Sequence, residues 1–263
     1  MRVRPQSLAL LAALSAVLCA VPTPAAAQSA AKSQDQPVPR LPNGKPDLSG
    51  VWDHPRVGDL TKDVTGKCSG ETPGCKSTGA GELPFTALGL AEFKKENKFD
   101  YGVHCLPWGY VRSWGTPYPL EFVQNSQRLA ILFEQNNMFH VVPTDGRDHP
   151  KDLDSTWLGN SVGKWDGDTL VIDTIGFNAK TWLDTAEHPL SESLHVIERI
   201  SRPDYRHLNY EITIEDPQMY TKPFKNSRVF VLMKPGQEIM EYSCDENNKE
   251  IVEGHVTDSW THK

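Results

Sequence analysis

The sequence predicts an all-β protein: an antiparallel up-and-down β-barrel preceded by an irregular segment with one short helix. Three observations carry this. From Pro119 onward the apolar pattern has a period of two, the signature of strands with one buried face. Nine such segments follow one another with mostly short connections, and short connections force antiparallel neighbours. A long antiparallel meander exposes two edges, and closure into a barrel removes both. A two-sheet sandwich is the alternative arrangement of the same strands.

The strands read in order as 120–124, 128–134, 138–144, 160–165, 169–177, 194–201, 208–215, 227–233 and 238–244. Gln135-Asn136-Asn137 turns the second into the third. Asp166-Gly167 is a two-residue hairpin signal, because both central positions favour positive φ. Pro235-Gly236 turns the last pair. Ahead of them, residues 53–118 are rich in Gly and Pro and read as irregular. The exception is Thr86 to Lys98, with Pro84 before it and Leu88, Leu90, Ala91 and Phe93 on its early turns.

The first 27 residues read as an export signal. Arg2 and Arg4 precede an apolar run from Leu8 to Val21, and Ala25-Ala26-Ala27 offers a small-residue cleavage site. The run falls short of the roughly 20 residues a spanning helix needs. A lipoprotein is disfavoured because Leu18 precedes Cys19. The expected product is periplasmic or secreted, with residues 28–46 as a flexible leader and 47–263 as one barrel domain. Cys68, Cys75, Cys105 and Cys244 then remain, an even count suited to disulfides in an oxidising compartment. Cys68–Cys75 with Cys105–Cys244 is the favoured connectivity, since a local bridge leaves the distant pair for each other. The other two connectivities and a four-cysteine zinc site stay open.

The chain has 263 residues, 27 basic and 34 acidic, a net charge of −7. Removing residues 1–27 takes away Arg2 and Arg4, which leaves 25 basic and 34 acidic groups, net −9. A polyanion-binding surface needs clustered Lys and Arg, so nucleic acid is not expected as a partner. No membrane span is expected after signal cleavage, and the oligomeric state is not readable. No nucleotide loop, Rossmann fingerprint or Gly-x-Ser-x-Gly elbow is present, so no cofactor is expected.

Ionisable residues concentrate between Asp145 and Asp204. In the strand Leu194 to Ile200, alternation puts Leu194, Val196, Glu198 and Ile200 on one face and His195, Ile197 and Arg199 on the other. Glu198 is thus a carboxylate within an aliphatic row. His195 suits proton transfer near neutral pH, and Arg199 suits an anionic substrate group or a developing oxyanion. Asp173 lies in a strand with two apolar faces, where a carboxylate needs a partner. Arg147 and His149 follow a strand end, where loops carry function. The candidate catalytic residues are therefore His195, Glu198, Asp173, His149 and Arg147. Arg199, Trp182, Tyr118, Asn178, Asp184 and His188 are the candidate substrate contacts. Four of these lie in the 14-residue loop 178–191. The bland alternative is an outer ladder of His195 and Arg199 over an inner Glu198–Arg147 ion pair. His188, His195 and Asp184 suggest a metal site, but no tight ligand spacing supports one and no metal is assigned.

Asp47-Leu-Ser-Gly-Val-Trp52 is similar to the N-terminal strand of lipocalins, whose Trp closes one barrel end. This implies a lipocalin- or calycin-like barrel. The chain also resembles an uncharacterised family of exported bacterial proteins. The blocks are Asp47–Trp52, Thr116–Pro119, Thr144–Pro150, Thr156–Asn178, Thr181–Asp184 and His188–Arg199. Members commonly carry His where this chain has Asn160. The family transfers no catalytic residues.

Three functions follow as expectations. The first is an acid–base enzyme, a lyase, isomerase or hydrolase, acting on a small organic substrate. The second is a non-catalytic carrier of an apolar or aromatic ligand. The third is a structural envelope protein with a filled interior. The face of Leu194–Ile200 that points inward separates them.

Overall fold

The structure is a computed structural model that describes residues 36–68, 70, 72–95 and 100–246. The expected signal peptide and residues 28–35 of the expected leader lie outside these residues. Among the described residues there are eleven strands: β1 (Gly50–Asp53), β2 (Val64–Lys67), β3 (Pro73–Thr78), β4 (Leu120–Asn125), β5 (Arg128–Phe133), β6 (Met138–Pro143), β7 (Asn160–Asp166), β8 (Thr169–Ile175), β9 (His195–Ser201), β10 (His207–Glu215) and β11 (Phe224–Leu232). Two short helices, α1 (Ala87–Phe93) and α2 (Tyr110–Ser113), lie between β3 and β4.

Nine strands form a nearly closed antiparallel barrel in the order β6-β5-β4-β1-β11-β10-β9-β8-β7. The all-β antiparallel expectation therefore holds. Eight of the nine expected strands are present. The ninth, residues 238–244, is not a strand. Its place beside β11 is taken by β1, with Trp52 opposite Leu232, and on the other side β1 pairs with β4. The Gly50-x-Trp52 strand thus closes the meander that the C-terminal segment was expected to extend. β3 pairs with β11 over Ser227–Val229, on the same edge that β1 uses further along, and β2 pairs with β3. These two strands lie in the segment expected to be irregular. Residues 238–246 instead pass over the end of β5, where Met240 donates to Glu134 and Tyr242 exchanges bonds with the side chain of Asn137.

Local chemistry explains the boundaries. In the β7–β8 hairpin Asp166 pairs with Thr169, so the two-residue turn is Gly167-Asp168, one residue later than expected, and only Gly167 has positive φ, at +59°. Thr86 caps α1 by accepting from the amide of Gly89 at 2.9 Å. A Cβ on Gly89 would sit 2.0 Å from the carbonyl oxygen of Met219, so only glycine lets the helix dock there. Both disulfides have the favoured connectivity, Cys68–Cys75 and Cys105–Cys244. Two such bonds fit an oxidising, extracytoplasmic setting. Among the described residues no helix is long and apolar enough to cross a membrane.

Alternation sends Leu120, Phe122, Leu129, Ile131, Leu170, Ile172, Leu208, Ile212 and Phe230 into the barrel, all essentially unexposed. α2 drops Tyr110 and Trp114 into the centre. The Trp114 ring meets Phe122, Phe133, Tyr210 and Phe230 within 4.7–6.1 Å. The middle of the barrel is therefore filled by aromatic side chains.

Candidate functional site

The barrel does not close at β6 and β7. They lie at the two ends of the strand order, and no ladder joins them among the described residues. A cleft of about 550 Å³ opens along this seam. Pro107, Met138, Phe139, Val141, Trp157 and Leu158 give it apolar walls, and Asn137, His140, Thr156, Asn160 and Ser161 give it polar groups. An apolar cavity with a few convergent polar groups is the usual form of a small-molecule site.

Two polar networks reach this cleft from opposite faces of β7. The inner one begins at His140, whose Nε2 lies 2.6 Å from Ser161 Oγ. Ser161 Oγ lies 2.6 Å from Thr174 Oγ1. Thr174 also lies close to the Tyr110 phenol, but no hydrogen bond joins the two. Tyr110 Oη donates to Glu198 Oε2 at 2.6 Å, and Tyr210 Oη donates to Glu198 Oε1 at 2.7 Å. Glu198 is fully buried on the inward face of β9. Burial raises its carboxyl to about 7, against the pull of the two tyrosines and the Arg228 charge. Burial also pushes the His140 imidazole down to about 4. Both tyrosines are held well above their ordinary value by burial and by the carboxylate.

The outer network starts at Asn160, the neighbour of Ser161 with its side chain on the other face. His149 Nδ1 lies 2.8 Å from Asn160 Oδ1, and His149 Nε2 lies 3.0 Å from Asp173 Oδ1. His195 Nε2 is 3.2 Å from Asp173 Oδ2, an ion-pair distance without hydrogen-bond alignment. His195 Nδ1 bonds Glu215 Oε2 at 3.2 Å. The structure thus brings His149, Asp173 and His195 together, on the outside of the barrel. Asp173 keeps 43% of its side chain exposed.

The inward face of β9 carries Val196, Glu198 and Ile200, and the outward face carries His195 and Arg199. Arg199 pairs with Asp166 at 2.7 Å, some strand length away from His195. Arg147 is exposed and pairs with Asp145. The arginine inside the barrel is Arg228, which donates to the Trp114 carbonyl and to Asn226. The inner Glu198–Arg147 ion pair does not form.

The remaining candidate substrate contacts lie elsewhere. Trp182 packs edge-on against Tyr101 at 5.1 Å and near Arg112, whose guanidinium stacks 4.2 Å over Trp108 and pairs with Asp100 at 2.6 Å. Asp184 accepts from the Leu60 amide and from His188 Nδ1, both at 2.7 Å, beneath the Phe93 ring. Asp59 joins them, and one ligand atom from each of the three residues lies within 4.8 Å of the others. His195 is not part of this group. Tyr118 packs against Tyr242, whose backbone is tied to Asn137 at the cleft rim. The Asn178 amide donates to the carbonyl of Thr156, a cleft residue.

Sequence reading missed His140, Ser161, Tyr110 and the cleft itself. His140 sits in a plain alternating strand, Met138 to Pro143, as an inward polar residue among inward apolar ones. That break in the pattern was the available signal. Tyr110 comes from a segment with no periodicity at all.

The fold and cleft define a class: a nearly closed antiparallel β-barrel with a filled centre and a lateral opening able to hold a small ligand. No protein-family model matches the chain, and no curated protein is significantly similar to it in sequence.

Proposed function

We propose that this is an extracytoplasmic small-molecule-binding barrel that performs acid–base chemistry in the β6–β7 cleft. One observation carries the reading: Asn160 and Ser161, adjacent on β7, both line the cleft, and each is hydrogen-bonded to a histidine, Asn160 to His149 outside and Ser161 to His140 inside. His140 and Ser161 are the groups that touch the substrate. His149, Asp173 and His195 act from outside through Asn160, and Glu198 acts from inside. The apolar walls favour an uncharged organic substrate with an aromatic or aliphatic body.

The test starts with binding. Purified oxidised protein is screened against small organic compounds by native mass spectrometry and by Trp fluorescence. A true cleft ligand loses affinity at least tenfold, about 1.4 kcal/mol, when Leu158→Trp fills the space. Turnover of that ligand falls by about 100-fold or more in His140→Gln and Ser161→Ala, the range expected for a lost acid–base group. Ligands that ignore Leu158→Trp sink the assignment of the site. Binding without turnover leaves the second reading, a carrier, which the mainly apolar lining favours.

A further inference from the structure

We propose that Glu198 is a buried proton store, connected to the cleft by a chain of hydroxyl groups through Tyr110, Thr174 and Ser161 to His140. The placement of the chain rests on geometry, and only the destination of the proton rests on the function proposed above. Three of its links are hydrogen bonds of 2.6 Å, and the fourth, between Tyr110 and Thr174, is a close approach that is bonded only in the loaded state described below. Every member is buried: Tyr110 at 1%, Thr174 at 0%, Ser161 at 3%, Glu198 at 0% and His140 at 7% exposed. Hydroxyl groups can both donate and accept, so a chain of them passes a proton by each group giving one and taking one.

The groups facing Glu198 are Tyr110 from α2, Tyr210 from β10 and Arg228 from β11, and His140 of β6 packs its ring 4.8 Å from that of Tyr110. Arg228 spends its bonds on Trp114 and Asn226, and no ion pair to Glu198 occurs among the described residues. A carboxyl held by two phenols, without a direct cationic partner, is suited to exist in either protonation state.

In the loaded state the Glu198 O–H donates to Tyr110 Oη. Tyr110 donates to Thr174, Thr174 to Ser161, and Ser161 to His140 Nε2. Discharge moves one proton along each link, so Glu198 becomes a carboxylate and His140 gains one proton at Nε2. His140 then gives its Nδ1 proton to a basic atom in the cleft and returns to neutral. In the discharged state Tyr110 donates to Glu198. One proton leaves the carboxyl, one reaches the cleft, and no bond other than O–H and N–H changes.

The test is the exchange of the Glu198 carboxylic proton for deuterium, followed by infrared spectroscopy at about pH 5. The band is assigned by its loss in Glu198→Gln. Thr174→Val, nearly isosteric, should slow exchange at least tenfold, about 1.4 kcal/mol in barrier. Its midpoint of Glu198 titration and its circular dichroism should match the wild type. Ser161→Ala breaks the next link and should do the same. Tyr210→Phe lies off the chain and should not slow exchange. In the wild type, the carboxyl should exchange faster than the backbone amides of residues 197–199, which exchange only by opening. Equal rates for carboxyl and amides overturn the proposal without any variant. So does unaltered exchange in both Thr174→Val and Ser161→Ala. Loss of cleft binding with the exchange effect intact overturns the proposed function and leaves the chain standing.

Discussion

Tyr210 donates its hydroxyl to Glu198 across 2.7 Å in the closed interior of the barrel. The register puts Ile212, not Tyr210, opposite Glu198, so the bond is diagonal and reaches along the inward face. It satisfies one carboxylate oxygen but supplies no countercharge, and desolvation still dominates. The folded carboxyl titrates at about 7 and the unfolded one near 4.5. Between these values the folded chain holds a proton that the unfolded chain has released. Stability therefore falls as pH rises from about 4.5 to about 7, by roughly 3 kcal/mol at full extent. Urea unfolding across that window, compared with Glu198→Gln, checks it. The stability of the wild type relative to the variant should decline with pH and level off above 7. A constant difference would remove the raised titration.

The buried imidazoles work in the opposite sense. His54 and His140 are both depressed to about 4, chiefly by burial. The unfolded chain takes up protons below about 6.5 that these two rings refuse. Stability is thus lost as pH falls from 6.5 towards 4, with a slope approaching two protons when both contribute. His140→Gln can keep a bond to Ser161 and should remove one proton from that slope. An unchanged slope would mean that His140 titrates normally in the folded state.

Strand alternation made the barrel legible, because one buried face leaves a period of two in the sequence. It also placed Glu198 correctly against His195 and Arg199. It could not reveal that β1 would displace residues 238–244 beside β11, since both segments carry the same short-range pattern and only tertiary pairing decides. Half of the site was legible for the same reason. Asp173 and His195 share the outer side of neighbouring strands, and His149 meets them there from the loop after β6. Ser161, Thr174 and Tyr110 are uncharged hydroxyl residues with no spacing motif; the first two meet through the β7–β8 register, and Tyr110 comes near them only once α2 enters the barrel.

Asp184 and His188 predict a local staple rather than a cleft contact. Asp184 is 1% exposed and ties the 54–63 loop, through the Leu60 amide, to the His188 ring. Asp184→Ala leaves a buried amide and a buried imidazole N–H without their acceptor. The expected cost is about 2–4 kcal/mol, measured by denaturant unfolding at pH 7. Affinity for a cleft ligand should change little, because neither residue lines the cleft. A variant with wild-type stability would show that water or Asp59 replaces the lost acceptor at no cost.

Cys105 and Cys244 are 139 residues apart, against seven for Cys68 and Cys75. In the chain-entropy description the long bridge restricts the unfolded state by about 5 kcal/mol and the short one by about 2.5. The long bridge also fixes residues 238–246 where Tyr242 holds Asn137 at the cleft rim. Removing it therefore acts on both stability and the site. Cys105→Ser with Cys244→Ser should lower the urea midpoint more than Cys68→Ser with Cys75→Ser does. It should also weaken cleft binding severalfold under conditions where the barrel stays folded, since Asn137 loses its backbone partners. The short bridge lies on the β2–β3 side, next to Val231, and its loss should leave binding as it was. If the two double variants weaken binding equally, the C-terminal segment does not shape the cleft.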